Sequence, residues 1–459
     1  MIAALSPEAR RWLLAGLVAG LYGLFCLAIA GREALRRRAA RREAERFAAG
    51  TGAPILVVHA SQTGLAEELA LATARALTAG GAAVTLKPLD DLTVSDLTGR
   101  ALFLASTTGE GDAPDSARRF IRDLMGQSPD LAGLTYGLLA LGDRSYADYC
   151  AFGRSLDAWL SGHGARPLFA PIEVDNGDAA ALAAWRARVA ELGGGVAAEP
   201  WTRPAHGRWR LTERHLLNPG SPGEGAWRLR LEPLDGPVDW AAGDILEVTP
   251  GGDRPGDWTP TDRDYSIASL PADGAVELIV RLMRHPDGRP GLCSDWLTRA
   301  APLGSEILAR VRTNRAFHGP APDRPMILIG NGTGLAGLRA HLKARQTAGA
   351  HRNWLIFGER TLAHDYFLQA EIEAWRDAGH IARLDLAFSR DQAEKLYVQH
   401  RLLAAAETVR SWVAEGAAIY VCGSLQGMAG EVHAALATIL DAEALERLTD
   451  EGRYRRDVY

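Results

Sequence analysis

Lysine is nearly absent from this 459-residue chain: Lys87, Lys343 and Lys395 are the only three, and every other basic side chain is arginine. Cysteine is scarce. Cys26, Cys150, Cys293 and Cys422 form no CxxC pair and no Cys/His cluster of zinc spacing, which excludes a disulfide scaffold and fits a reducing compartment. No internal repeat is present, so solenoids and propellers are excluded. Only one long apolar run exists, which excludes a polytopic transporter. Glycine (49) and proline (23) are too few for a low-complexity chain, and 47% hydrophobic residues exclude disorder along the whole length. The length suits about three domains, each with its own core.

The one apolar run, Trp12 to Ala30, has 19 residues without a charge. As a helix it would extend about 28 Å, near the thickness of a hydrocarbon core. Seven arginines (32, 36, 37, 38, 41, 42 and 46) follow it against three glutamates. This pattern predicts a single-pass anchor over 1–31, an Arg-rich juxtamembrane linker over 32–52, and everything beyond on the cytoplasmic side of the inner membrane. A buried core helix and a signal peptide cleaved near Ala28-Ile29-Ala30 are the competing readings. The formal net charge is −5 despite the basic collar, so the body is acidic and unsuited to nucleic acid.

Residues 53–196 read as a first α/β module. Pro54–Ala60, Ala101–Ala105 and Tyr136–Leu141 are short apolar runs of the buried parallel-strand type. Each is followed by a polar loop: Ser61–Glu67, Ser106–Ala117 and Gly142–Tyr149. Loops at the carboxyl ends of parallel strands are where open α/β sheets bind ligands. A Ser/Thr/Gly turn running into a helix supplies free N–H groups and hydroxyls to a phosphate, although such turns also simply cap helices. Tyr146 offers a flat face, so the loops suit a planar ring beside a phosphate held by neutral donors.

These loops resemble the flavodoxin-type FMN domain of the diflavin reductases, the family of NADPH-cytochrome reductase and the sulfite reductase flavoprotein subunit. The third, Leu141 to Cys150, is close to that family's LGDxSYxxFC pattern. The resemblance implies that Ser61, Gln62, Thr63, Gly64 and Leu65 hold the FMN phosphate. It places Ser106, Thr107, Thr108 and Gly109 at the ring edge, Tyr146 stacked on it, and Leu141, Gly142, Asp143 and Tyr149 around the third loop.

Residues 197–205 read as a linker with Pro200 and Pro204, and 206–320 as a small antiparallel β-barrel of short alternating runs. Arg263-Asp264-Tyr265-Ser266 resembles the RxYS element of ferredoxin-reductase-like FAD barrels, in which an Arg pairs with pyrophosphate and a Tyr lies on the ring. Gly291, Leu292, Cys293 and Ser294 resemble the second FAD element, a turn into a helix N-terminus. Members of the family usually carry a helical connecting domain before RxYS. Here only Trp201 to Asp262 is available, so that domain is missing and a more mobile FMN module is expected.

Residues 321–459 read as a nicotinamide-binding α/β domain. Pro325–Gly330 is a buried strand, and Gly332 and Thr333 open the helix after it. Ser389, Arg390 and Lys395, with Tyr397 and Gln399 beside them, suit a 2′-phosphate and an adenine face, hence NADPH over NADH. The resemblance puts Cys422 beside the nicotinamide C4, with Ser266 and Asp457 completing a polar group around hydride transfer, and Tyr459 covering the FAD ring.

The resemblance therefore implies an NADPH-dependent flavin oxidoreductase passing electrons from NADPH to FAD, then FMN, then a one-electron acceptor. The anchor favours a membrane haem protein or a ferric-complex reduction partner. The alternatives are a sulfite-reductase-type subunit serving a separate haemoprotein, and an FAD-only reductase with a degenerate FMN docking module. Asp112, Asp115, Asp143 and Asp148 are expected to steer a basic acceptor.

Overall fold

The computed structural model of the chain describes residues 47, 50–62, 64–108, 111–144, 148–175, 177–193, 206–251, 262–285 and 287–459. The expected anchor 1–31, nearly all of the Arg-rich stretch, the 197–205 linker, Thr63, Gly109 and Tyr146 lie outside the described residues. Among the described residues no helix is long and apolar enough to cross a membrane.

The first module is a parallel sheet of β1 (Thr51–Ala60), β2 (Ala82–Pro88), β3 (Gly99–Ser106), β4 (Leu134–Gly142), β5 (Arg166–Pro167) and β6 (Ile172–Asp175), in the order β2-β1-β3-β4-β5 with β6 also on β4. Its central strands are apolar on both sides because both faces are covered. Helices α1 (Leu65–Ala79) and α3 (Ala179–Leu192) pack one face around Val57, Leu77 and Trp185. Helix α2 (Ala151–Gly162) covers the other around Phe103, Phe120 and Trp159. The module starts earlier than the expected residue 53: β1 begins at Thr51, and Phe47 is buried in its core. Strands β1, β3 and β4 are neighbours, so their three carboxyl-end loops open side by side.

The second module is an antiparallel sheet of β7 (Gly207–Leu216), β8 (Ala226–Pro233), β9 (Ile245–Thr249), β10 (Arg263–Ser266), β11 (Val276–Arg281) and β12 (Glu306–Arg312), ordered β10-β9-β12-β7-β8-β11. It coils around Trp209, Leu229, Leu246 and Leu278. The third is a parallel sheet of β13 (Met326–Asn331), β14 (Asn353–Glu359), β15 (Ile381–Phe388), β16 (Ala418–Gly423) and β17 (Tyr454–Val458), ordered β15-β14-β13-β16-β17. Helix α4 (Leu335–Thr347) joins these two modules. Its buried Arg339 bonds Glu277 at 2.9 Å, Glu371 at 2.7 Å and the Ala268 carbonyl at 2.7 Å. Lys343 meets Asp273 at 2.6 Å. Two of the three lysines are thus structural, since Lys87 likewise pairs with Asp96 at 2.7 Å.

Candidate active site

In the first module the phosphate-type loop is preformed. Ser61 Oγ accepts the N–H groups of Gly64 (2.9 Å) and Ala66 (3.3 Å), and Ser61 N–H donates to Ser116 Oγ at 2.9 Å. Gly64 lies at φ +89°, the left-handed region that favours glycine. The second loop closes as a tight turn in which Thr108 and Asp112 exchange backbone bonds of 2.8 and 2.9 Å. Thr107 Oγ1 and Thr108 Oγ1 are buried and have no partner among the described residues. Two orphaned hydroxyls beside Ser106, at the mouth of three strand-end loops, fit a polar ring edge such as that of FMN, because buried polar groups are otherwise paired.

Three expectations for this site change. Gln62 is not turned to a phosphate: its Nε2 donates to the Arg456 carbonyl at 2.9 Å and its Oε1 accepts Asp115 N–H at 2.9 Å. Leu141 acts only through its backbone, its carbonyl accepting Thr107 N–H at 2.8 Å while its side chain sits in the core. Tyr149 is buried, with the Arg144 guanidinium 5.0 Å from its ring centroid, so that face is already covered. Gly142 is required next to it, since a Cβ there would meet Cys150 Sγ at 2.9 Å. Leu65 starts helix α1.

The same loops face the rest of the protein. Arg310, almost fully buried, is shared between Glu68 of α1 (2.9 and 3.0 Å) and Glu247 (3.0 Å). Glu67 meets Arg315 at 2.8 Å, and Arg122 meets Asp450 at 3.1 Å. Asp115 pairs with Arg456. Burial, the largest single influence, would raise the Asp115 carboxyl, but Arg456, Arg118 and the Gln62 hydrogen bond together hold it below its ordinary value. Asp115, expected to greet an external acceptor, is thus engaged inside the chain. The short tether without a connecting domain is accompanied by a seam of ion pairs.

In the second module Tyr265 is partly buried on β10 and Arg263 is exposed at the strand's start. Gly291 precedes the helical turn Leu292–Asp295, and Ser294 Oγ accepts Met283 N–H at 3.1 Å, which fixes the turn. Cys293 is buried in the barrel core, so it contributes backbone rather than thiol. An exposed arginine, a half-covered aromatic ring and a helix start together suit a pyrophosphate beside a flavin ring such as that of FAD.

Where the second and third modules meet, the expected polar group is assembled from residues 191 and 35 positions apart. Ser266 O–H donates to Asp457 Oδ2 at 2.7 Å, and Cys422 Sγ lies 3.7 Å from the same oxygen. All three are buried. Burial raises both the Cys422 thiol and the Asp457 carboxyl, so the sulfur is a thiol and no nucleophile. The close packing depends on glycine: a Cβ at Gly334 would come 2.0 Å from the Cys422 carbonyl, and one at Gly337 would sit 3.2 Å from Cys422 Sγ and 3.7 Å from Ser266 Cβ. Glycine at 337 is what lets the helix approach the thiol. Tyr459 is tied through its backbone to Gly423 (3.1 Å) and Leu425 (3.0 Å), while the residue as a whole is 52% exposed and its hydroxyl faces Thr333, at 3.4 Å, and the Ser266 side chain. Gly332, at φ +54°, places the loop below that ring.

At the far end of the same sheet, Ser389 and Arg390 N–H groups donate to the Glu359 and Arg360 carbonyls at 2.9 and 2.8 Å. Ser389 is buried; Arg390, Lys395 and Tyr397 are exposed, and Lys395 pairs with none of the described residues. Gln399 lies in the helix that follows. Sequence reasoning missed Arg360, whose buried Nη1 has no partner among the described residues beside this turn, and the Arg281–Glu359 pair next to Gly332. The position of Arg360 just beyond a parallel strand was the available signal; Arg281, on another module, offered none. Lys395→Ala is expected to raise the KM for NADPH about tenfold, the scale of one charge-assisted contact, and to leave that for NADH within about twofold. Equal rises measured with both nucleotides would refute the assignment.

Residues 57–186 match the family model described as Flavodoxin, and residues 328–434 match Oxidoreductase NAD-binding domain. Among curated proteins, the chain is 28% identical to the sulfite reductase [NADPH] flavoprotein alpha-component of Vibrio cholerae, over 90% of this chain and 88% of that one. It is 26% identical to the protein of the same description from Bacillus subtilis, over 94% of this chain and 93% of that one. The first alignment spans 549 positions, more than the 459 residues here, so the relative carries sequence that this chain omits.

Proposed function

We propose that this chain, which belongs to the diflavin reductase family and is an NADPH-dependent flavin oxidoreductase, carries electrons from NADPH to a separate one-electron haem acceptor from a membrane-anchored position. The chain's cofactors are FMN, FAD and NADPH, so the FAD-only reading is set aside. When bound, the flavins take a pair of electrons from NADPH and release them singly, chemistry that belongs to the cofactors. The protein's part is placement. The single observation that carries the reading is that the first module's strand-end loops lie against β17, the strand that also bears Asp457 and is followed directly by Tyr459. One short strand thereby borders both flavin sites. Ser266, Cys422 and Asp457 form a dry, hydrogen-bonded wall beside the nicotinamide place and exclude water there.

The anchor rests on the apolar run and its arginine collar, and with it the inner-membrane location and cytoplasmic orientation. A second reading, service to a soluble haemoprotein as one component of a sulfite reductase, is favoured by the description of its relatives. Anaerobic NADPH titration of native membranes separates the two. Sharp reduced-haem bands that a strain lacking the protein does not give are expected for a membrane haem acceptor. Flavin bleaching with no haem band would reject that acceptor and leave the sulfite-type partner.

A further inference from the structure

Two stretches of chain meet on the outer face of the barrel. The expected linker 197–205 leads into His206, which immediately precedes β7, and Asp262 immediately precedes β10. Between them stands Glu247, in the middle of β9. Its neighbours Leu246 and Val248 point into the barrel core, so Glu247 points outwards. It is nonetheless covered there: the side chains of Glu247, Asp262 and His206 are 1%, 9% and 16% exposed.

The three side chains converge. His206 Nε2 lies 3.4 Å from Glu247 Oε1 and 3.5 Å from Asp262 Oδ2, and one ligand-type atom of each residue lies within 4.8 Å of the other two. His206 Nε2 is buried and makes no hydrogen bond among the described residues. A buried ring nitrogen beside carboxylates ordinarily closes on one of them, at about 2.8 Å. The spacing here is that of a coordination shell: ligands about 2.1 Å from a tetrahedral zinc ion stand about 3.4 Å from one another. The surroundings hold the donors in place. Asp262 Oδ1 accepts the Thr249 hydroxyl at 2.5 Å, which leaves Oδ2 to face His206. Glu247 is fixed by Arg310 Nε and Nη2, each at 3.0 Å, and its Oε1 keeps a second lone pair. Four carboxylates, Glu68, Glu247, Asp262 and Asp264, surround the guanidiniums of Arg310 and Arg312. Arg263 is exposed and turns Nη1 to the Asp262 carbonyl at 3.0 Å. Charge of the remaining sign therefore suits a cation.

We infer that His206, Glu247 and Asp262 form a divalent-metal site of the zinc type, which staples the end of the inter-module linker to strands β9 and β10. One imidazole with two carboxylates suits Zn2+ over Mg2+ or Ca2+, which are held by oxygen ligands. Three protein ligands leave a fourth position for water. Glu247 also holds Arg310, and Arg310 holds Glu68 of α1, so a cation here stiffens the junction on which the first module sits. The inference is independent of the nicotinamide site and of the acceptor.

The test is Zn2+ uptake by the full, untagged, flavin-loaded chain, read by competition with a chromogenic zinc chelator and by the midpoint of thermal unfolding. The parent is expected to take up Zn2+ at this site and to unfold at a higher temperature with it, since the ion binds the folded state. His206→Gln and Asp262→Asn are each expected to weaken that uptake by at least about 100-fold, the upper range for loss of an outer-shell partner and so a floor for loss of a ligand. Neither should show the zinc-dependent rise. His206→Cys, which supplies another zinc ligand, should recover binding. Flavin content equal to the parent's establishes that a variant is folded; if Asp262→Asn loses FAD, His206→Gln and His206→Cys carry the comparison. A parent that takes up no Zn2+, or uptake and midpoint shift unchanged in flavin-replete His206→Gln, overturns the proposal.

Discussion

Asp457→Asn is expected to lower NADPH-driven ferricyanide reduction by about 100-fold or more, the cost typical of removing a preorganised polar group from a dry reaction centre. Asp457 accepts from Ser266 at 2.7 Å and is approached by the Cys422 thiol at 3.7 Å, so its ionised form would organise the wall beside the proposed nicotinamide place. Burial raises its pKa above the ordinary carboxylate value. The rate of the parent should therefore fall at a pH above the usual carboxylate range, as the carboxylate takes up a proton, and the Asn variant should lack that limb.

Stability should move the other way. A carboxyl that holds its proton more tightly when folded gives stability below its ordinary pKa, and that stability is lost as pH rises through the raised value. Asparagine cannot ionise, so the variant's midpoint in thermal unfolding at neutral pH should equal or exceed the parent's. A variant that loses both activity and stability would mark Asp457 as merely structural.

The second large effect concerns nucleotide choice. Tyr459→Ala should lower the KM for NADH by about fivefold, because the nucleotide no longer displaces a half-exposed aromatic ring whose seating contributes about 1 kcal/mol. On the proposed reading NADPH has a second hold at the Ser389–Arg390–Lys395 end. Its tighter complex should slow product release, so kcat with NADPH falls while the selectivity between the two nucleotides collapses. The change is local because the strand's bonds to Gly423 and Leu425 are made by the backbone, not the ring. Steady-state kinetics with both nucleotides decide it; an unchanged selectivity would leave Tyr459 as a simple terminus.

Much of this was legible in the chain. The apolar runs over Pro54–Ala60, Ala101–Ala105 and Tyr136–Leu141 are strands, and the loops after them open together. That follows from local chemistry: apolar runs of strand length must be covered on both faces, and a turn rich in glycine and hydroxyls can only end them. The Ser266–Cys422–Asp457 group was expected through resemblance, and the structure brings its members into contact. Gln62 was read for its loop, and its side chain is instead engaged across the seam, because a residue 394 positions away along the chain supplies its partner.

The sequence by itself determined three nucleotide-type modules, their order, and the loops that carry their chemistry, since each depends on residues within one strand, turn and helix start. Only the tertiary structure decided that Asp115 belongs to Arg456, that Glu68 and Glu247 share Arg310, and that Gly337 makes room for the Cys422 thiol. Charge pairing and close approach depend on which surfaces meet. In a chain whose basic residues are nearly all arginine and whose acids are spread throughout, composition and spacing leave many pairings equally available until the modules pack.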